Sequence, residues 1–353
     1  MMENSNKKVV AAIDLGYGHT KFAKFDDMGT MTVDSFPSFV GVGASGKAGL
    51  ETLGSLDVFT VNLAGNVLTV GKDSANARGA QMGRNTDDGF SSTPQYAALM
   101  LGALAYLDLP RIDVLVIGLP MHTLRANSAQ LRERYCGKQQ VPMLGNRKKF
   151  KCETVEIGEV IVVGQPVGAL MDACAHRPDI QDDCSIVLDM GFHTLDVLGM
   201  EARKPRADRV DGIPGGVSGY INAVSESVRD WFNKEHGGSG GELRLPIHQY
   251  ETALRTGKPL RTGIGPIDLS QHRAQADAIT AQYLDKVASI IKDYGDITVA
   301  VLAGGGAKLI ETPFKARFPL IRNVMIPYDP SFSVVRGFLR IAKTQASRGI
   351  VNA

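Results

Sequence analysis

Residues 9–25 read VVAAIDLGYGHTKFAKF, and the reading of this stretch decides the fold. Val9-Val10-Ala11-Ala12-Ile13 is a short apolar run, the pattern of a buried strand. It ends in Asp14. Gly16 and Gly18 follow, with His19, Thr20 and Lys21 close behind, and Phe22-Ala23-Lys24-Phe25 alternates like a returning strand. Asp26-Asp27-Met28-Gly29 then turns the chain. The shape is a strand, a glycine-bearing loop with a carboxylate at its root, and a strand coming back. Glycines in such a loop let backbone N–H groups approach an anion closely. A carboxylate beside an anion site calls for a cation between them, and hydrated Mg2+ is the usual one. Taken alone, the stretch reads equally as an ordinary Asp/Gly hairpin.

A second copy shifts the balance. Residues 184–200 read CSIVLDMGFHTLDVLGM. Ser185-Ile186-Val187-Leu188 runs into Asp189, and Gly191 stands two positions on. His193, Thr194 and Asp196 lead into another apolar strand. Both loops fit Asp-x-Gly-x-x-His/Thr. Two such hairpins in one chain imply two related halves facing one ligand.

The segments between and after them follow an α/β rhythm. Ser92-Thr93-Pro94 opens a helix rich in Ala, Leu and Met, Ile112–Ile117 is an apolar strand, and residues 121–135 read as a helix. Residues 150–157 alternate, and Glu159–Val163 forms a further strand. A helix then begins with Pro166 in its first turn, leaving Gln165 just outside it. Residues 212–219 carry glycines, Gly215 and Gly216 among them, ahead of a helix from about residue 220 to 234, where N–H groups can meet an anion or a ribose. Residues 251–258 (ETALRTGK) end at Lys258, and 271–294 is a long helix with one apolar stripe. Ile297–Leu302 is a strand that breaks into Gly304-Gly305-Gly306, a turn against which a flat ring can lie. Val324–Pro327 is a last strand, before a closing helix over 334–346.

In this order the motifs resemble the actin-like ATPases of the actin, Hsp70 and sugar-kinase superfamily, nearest the ParM/StbA type of plasmid-segregation actins. The resemblance covers almost the whole chain. It implies an α/β fold of duplicated actin-like (ribonuclease H-like) domains with a nucleotide cleft between them. The first domain would be residues 1–183 plus 330–353, with a small subdomain inserted over about 36–92. The second would be 184–329, with a smaller subdomain over about 212–295.

The resemblance also distributes roles. The backbone of Gly16, Tyr17, Gly18 and His19 would hold the β- and γ-phosphates, with Lys21 reaching them as a point charge. Gly191, Phe192 and His193 would close on the γ-phosphate from the other side, supported by Thr194. Asp14 and Asp189 would hold Mg2+ through its waters. Gln165 would orient the attacking water, since phosphoryl transfer depends mainly on positioning and electrostatics. Gly215, Gly216, Lys258 and Gly304–Gly306 would line the nucleoside of ATP or GTP. Asp196 is expected on the opposite face of its strand, pairing only locally. Tyr17 and His19 stand where many actins have smaller residues, a departure from the pattern.

Composition narrows the alternatives. With 353 residues and 44% hydrophobic content, two cored domains fit the chain. A net charge of +2 argues against a sequence-independent nucleic-acid binder. The basic clusters Arg147-Lys148-Lys149 with Lys151, and Arg203-Lys204 with Arg206, read as solvated loops rather than DNA sites. Residues 1–8 hold no apolar leader, no run approaches the roughly 18 residues of a membrane span, and the four scattered cysteines fit a reducing cytoplasm. The loop 76–89, with Arg78, Arg84 and Asn85, is a candidate contact or nucleotide-closure surface. The resemblance implies self-assembly into filaments, ATP hydrolysis and a DNA-binding adaptor at a plasmid centromere, with neither nucleic acid nor membrane bound directly. A small-molecule kinase of the same superfamily, an Hsp70-like chaperone and a nucleotide-binding scaffold are the competing readings. A kinase would need a general-base Asp at the place Gln165 takes, and no residues remain for a chaperone's substrate domain.

Overall fold

The computed structural model describes residues 8–43, 56–63, 65–76, 89–141, 152–236 and 243–351. Most of the loop 76–89, the glycine-rich stretch after Gly43 and the cluster at residues 147–151 lie outside them.

Two sheets are built on one plan. In the first, β1 (Val10–Leu15) pairs antiparallel with β2 (His19–Phe25), which pairs with β3 (Met31–Pro37). Between β3 and the next helix, β4 (Gly41–Val42), β5 (Phe59–Leu63) and β6 (Asn66–Val70) form a small sheet of their own. Helix α1 (Pro94–Leu107) starts where sequence placed it: Thr93 Oγ1 accepts the Tyr96 N–H at 3.2 Å, and Pro94 needs no acceptor at the first position. The chain returns through β7 (Arg111–Leu119), parallel to β1, and crosses by α2 (Met121–Tyr135) and the short edge strand β8 (Gly137–Gln140). It then enters β9 (Thr154–Gly164), parallel to β7. The first sheet thus has the order β3-β2-β1-β7-β9-β8. Two segments expected to be separate, 150–157 and 159–163, merge into β9, because Gly158 stays in register, packed against the Asp113 backbone.

Helix α3 (Gln165–His176) connects to the second sheet. There β10 (Cys184–Met190) pairs antiparallel with β11 (Thr194–Glu201), and β11 with β12 (Lys204–Pro214). Helices α4 (Gly216–His236) and α5 (Ile247–Thr256), the hairpin β13 (Leu260–Thr262) and β14 (Gly265–Ile267), and α6 (Ala274–Ile291) follow. Then β15 (Val299–Ala303) lies parallel to β10, α7 (Ala307–Arg317) crosses, and β16 (Asn323–Met325) extends the sheet, giving β12-β11-β10-β15-β16. Each sheet is therefore a three-stranded meander whose first strand also begins a parallel run of three.

The last helix, α8 (Ser333–Val351), and α3 fill the space between the sheets. Ala169, Leu170 and Ala173 of α3 and Val335, Phe338 and Leu339 of α8 share one core with Val10, Ala12, Val114 and Val116 of the first sheet and Val187, Val299 and Val301 of the second. A second core backs the first sheet under α1, and a third backs the second sheet under α6 and α7. The fourth joins α4, α5 and β13–β14. Both hairpin tips thus rise from sheets that face each other across α3 and α8.

The four cysteines are free thiols. The Arg203–Arg206 cluster is engaged with carboxylates, Arg203 with Asp182 at 2.7 Å and Arg206 with Glu201 at 3.0 Å and Asp208 at 2.9 Å, as a solvated surface would be. Among the described residues no helix is long and apolar enough to cross a membrane.

Candidate functional site at the two hairpin tips

The first hairpin puts Asp14 at the end of a fully buried strand, and the register sets Lys21 directly opposite on β2. Cross-strand partners share a face, so the pair closes: Lys21 Nζ lies 3.1 Å from Asp14 Oδ2. The other carboxylate oxygen accepts the Gln165 side-chain amide at 2.7 Å. The tip is fixed by Ser38, a residue that no local motif singles out. Its hydroxyl donates to the Gly16 carbonyl at 2.6 Å, its N–H donates to the Gly18 carbonyl at 3.0 Å, and its Oγ lies 3.0 Å from Thr20 Oγ1. Tyr17 stacks on Phe90 and meets His193 edge-on, with ring centroids 5.3 Å apart in each case.

The second hairpin has the same register, with Asp196 opposite Asp189 where Lys21 stands opposite Asp14. Asp196 was expected to point away. It does not, because directly paired positions of antiparallel strands face the same way. Its buried carboxylate accepts the Thr194 hydroxyl at 2.8 Å and, across the two halves, the Met121 N–H at the start of α2 at 3.0 Å. It thus caps a helix of the other sheet. Asp189 is also buried, and among the described residues no donor reaches its carboxylate. Burial pushes its pKa up to about 7, with Asp196 and Asp14 adding to the rise and Lys21 opposing it.

Gly191, Phe192 and His193 are held by α4. The N–H groups of Val217, Ser218 and Gly215 donate to the carbonyls of Gly191, Phe192 and His193 at 3.0, 2.7 and 2.6 Å. The helix was expected to start near residue 220 with amides awaiting an anion. It starts at Gly216, and its first amides bind the second hairpin tip instead. Gly215 (φ +121°) and Gly216 (φ +44°) permit this approach; a Cβ on Gly216 would sit 2.6 Å from the Gly191 carbonyl. The two tips touch as well, since a Cβ on Gly18 would lie 2.7 Å from the Phe192 Cβ.

Two further elements close on the pair of carboxylates. Gln165, expected outside α3, is its first residue, following Gly164 in extended conformation. Gly304 ends β15 at φ +79°, and a Cβ there would collide with Asp189 Oδ1. Its N–H donates to the Pro330 carbonyl at 3.0 Å, and that of Gly306 to the Met190 carbonyl at 3.0 Å. Gly305 is exposed and faces open space. His19 approaches Glu251 of α5, Nδ1 to Oε1 3.8 Å, which brings the expected 251–258 stretch to the first tip. Lys258 itself lies exposed beyond the end of α5 and makes none of these contacts. Asp14 of the first half, with Lys21 and Gln165 on its carboxylate, thus acts on the charge of Asp189 of the second, against which Gly304 packs.

This is the architecture of an actin-like protein: two α/β halves of like topology whose hairpin tips converge. The family description "Actin like proteins N terminal domain" matches residues 12–168, and "Archaeal actin homologue MreB-like, C-terminal" matches 187–316, so the chain belongs to the actin-like proteins. No curated protein matches it by sequence. Among solved structures it is similar to a ParM of a 15-stranded filament from Clostridium botulinum (18% identity, 96% of this chain and 99% of that one, TM-score 0.72). It is similar to an archaeal actin homologue in complex with ADP (18% identity, 95% and 99%, TM-score 0.72). The apo psk41 ParM protein is a third (16% identity, 98% and 99%, TM-score 0.67).

Proposed function

We propose that the chain is an actin-like ATPase that binds a Mg2+-nucleotide between its two halves, assembles into filaments and hydrolyses ATP, in the service of plasmid DNA segregation. One observation carries the reading. Two carboxylates from separate sheets are held close in a buried cluster with one lysine and one glutamine. That arrangement stores unfavourable charge unless a cation joins it.

The residues fit Mg2+. Among the described residues no donor reaches Asp189, whose pKa burial raises with Asp196 and Asp14 adding to the rise, and a divalent cation would oppose that rise. Asp14 and Asp189 would hold the ion through its waters, because Mg2+ gives up its hydration shell reluctantly. Bound there, Mg2+ would draw charge from the phosphate oxygens. Lys21 would stay within reach of that charge from its place beside Asp14. Gln165 would turn a water toward the phosphate; its amide is already oriented by Asp14 at 2.7 Å. Gly18 and Phe192 would separate to admit the phosphate chain between the tips. Gly305 would leave room for the nucleoside, and ATP rather than GTP is the nucleotide the family resemblance favours.

The archaeal relative with ADP and the filament-forming ParM relative support the nucleotide and the assembly respectively. Assembly would use surfaces of this chain against copies of itself, with an adaptor linking the filament to plasmid DNA in the cytoplasm. Sedimentation of the purified protein with ATP and Mg2+ tests the assembly: we expect it to pellet with nucleotide and to stay in the supernatant without. A protein that remains monomeric at high concentration with ATP and Mg2+ would sink the filament reading.

A further inference from the structure

We propose that Arg336 is a positioning residue that ties the glycine turn at Gly304 to the helix that carries Gln165. This rests on the nucleotide reading above. The path is continuous. The Gly304 N–H donates to the Pro330 carbonyl at 3.0 Å. The two residues before Pro330 present their carbonyls to one side chain: Arg336 donates from Nη2 to Tyr328 at 2.6 Å and from Nη1 to Asp329 at 3.2 Å. The same guanidinium forks onto Asp172 Oδ2 from Nε at 2.9 Å and from Nη2 at 2.6 Å. Asp172 belongs to α3, and its side chain is wholly buried while that of Arg336 is 15% exposed. Two turns earlier in the same helix, about 10 Å away at 1.5 Å per residue, stands Gln165 with its amide on Asp14.

The connection is stiff at both ends. Helices α3 and α8 cross with their backbones in contact, for a Cβ on Gly337 would collide with the Gly168 carbonyl and one on Gly168 would lie 2.5 Å from that of Val334. One helix therefore cannot slide without the other. A planar guanidinium with several donors suits a junction of one carboxylate and two carbonyls, and a lysine ammonium cannot span all three. The other Asp172 oxygen lies 3.5 Å from Arg340 Nε, one turn further along α8, so this helix holds the buried carboxylate through two arginines. Filling the Gly304 turn with a nucleoside would shift residues 328–330, and Arg336 would pass that shift to α3 and so to Gln165.

Amide hydrogen exchange of the full chain, with and without ADP and Mg2+, tests the tie together with turnover. In the unaltered protein we expect nucleotide to slow exchange both at residues 303–309 and along 166–172. In Arg336→Lys the first protection should remain and the second should vanish. Nucleotide affinity should change less than about twofold, and kcat for phosphate release should fall on the order of tenfold with KM nearly unchanged. Arg336→Lys keeps a charge beside Asp172 and so guards against simple unfolding. In a Gln165→Ala background the same substitution should slow turnover no further. Protection of 166–172 that survives in Arg336→Lys overturns the tie, as does an additive loss in the double variant. An unaltered protein that binds ADP but releases no phosphate removes the hydrolysis reading while the exchange comparison still decides on Arg336. One that binds no nucleotide removes both.

Discussion

The two hairpins share strand register and spacing but not charge. Seven positions after its root aspartate, the first presents Lys21 and the second Asp196. In the first, the opposite charges pair at 3.1 Å and Gln165 satisfies the remaining carboxylate oxygen. In the second, like charges face each other, Asp196 is drawn off to cap α2, and Asp189 has no donor among the described residues and a pKa pushed up to about 7. The difference teaches that one duplicated frame has divided its labour. The first hairpin pairs its own charges, whereas the second leaves Asp189 with a raised pKa, and the cation of the proposed function would favour its ionised form.

The largest expected effect comes from substituting the root aspartates. Asp189→Asn should lower phosphate release on the order of 10²–10³-fold, the loss typical of removing one preorganised electrostatic group. It should leave the stability of the nucleotide-free protein unchanged or higher, because an unpaired buried charge is gone. Asp14→Asn should damage both properties. It weakens the partner of Lys21 and Gln165 and should cost about 1–3 kcal/mol in urea denaturation. Equal stability losses in the two variants would erase the distinction between the hairpins.

Next in size is Gln165→Ala, which should slow phosphate release about 10- to 100-fold while a fluorescent nucleotide still binds with nearly the original affinity, since positioning and not binding is lost. Binding lost in parallel with turnover would place Gln165 on the ligand instead. Gly304→Ala comes third. A left-handed residue costs a side chain about 1–2 kcal/mol, and the added methyl meets Asp189, so melting temperature should fall and Mg2+-dependent nucleotide binding should weaken.

The smallest effect is on pH dependence. The folded pKa of Asp189, about 7, lies above the ordinary 3.8, so the folded state keeps a proton that the unfolded chain releases. Stability from this source is present at low pH and drains away as pH rises from about 4 to about 7. The nucleotide-free protein should therefore lose more melting temperature over that window than Asp189→Asn does, and Mg2+ should reduce the difference. Identical slopes in the two proteins would mean that Asp189 is ionised without help.

Much of this was legible in the chain. The apolar runs ending in Asp14, Asp189 and Gly304 gave the three strands that point at the site, because a buried parallel strand has a distinctive composition and glycine marks its end. Gln165 is singled out by the family resemblance, at a place shortly before the second hairpin, and its amide lies on Asp14. What escaped depends on pairing. β12 has a charged exposed edge and no apolar run, so 204–214 reads as loop, and β8 is too short and polar to register. The side on which Asp196 lies follows from a register that only the folded hairpin fixes, since one residue of slip reverses every face. Ser38 and Arg336 act through backbone carbonyls far away in sequence, and no local motif announces such partners. Glycines at 215 and 216 stand out in the chain as a break before a helix, but that Gly215 and the first turn of α4 bind the second hairpin tip depends on contacts far away in sequence.

Release of phosphate from ATP by the purified protein, with Mg2+ and no acceptor, tests the central claim most directly. The account predicts steady release with Mg2+ that a chelator abolishes and that Asp189→Asn loses. Absence of release with Mg2+ present, or release that persists unchanged in the chelator, would contradict the account of two hairpins closing on one Mg2+-nucleotide.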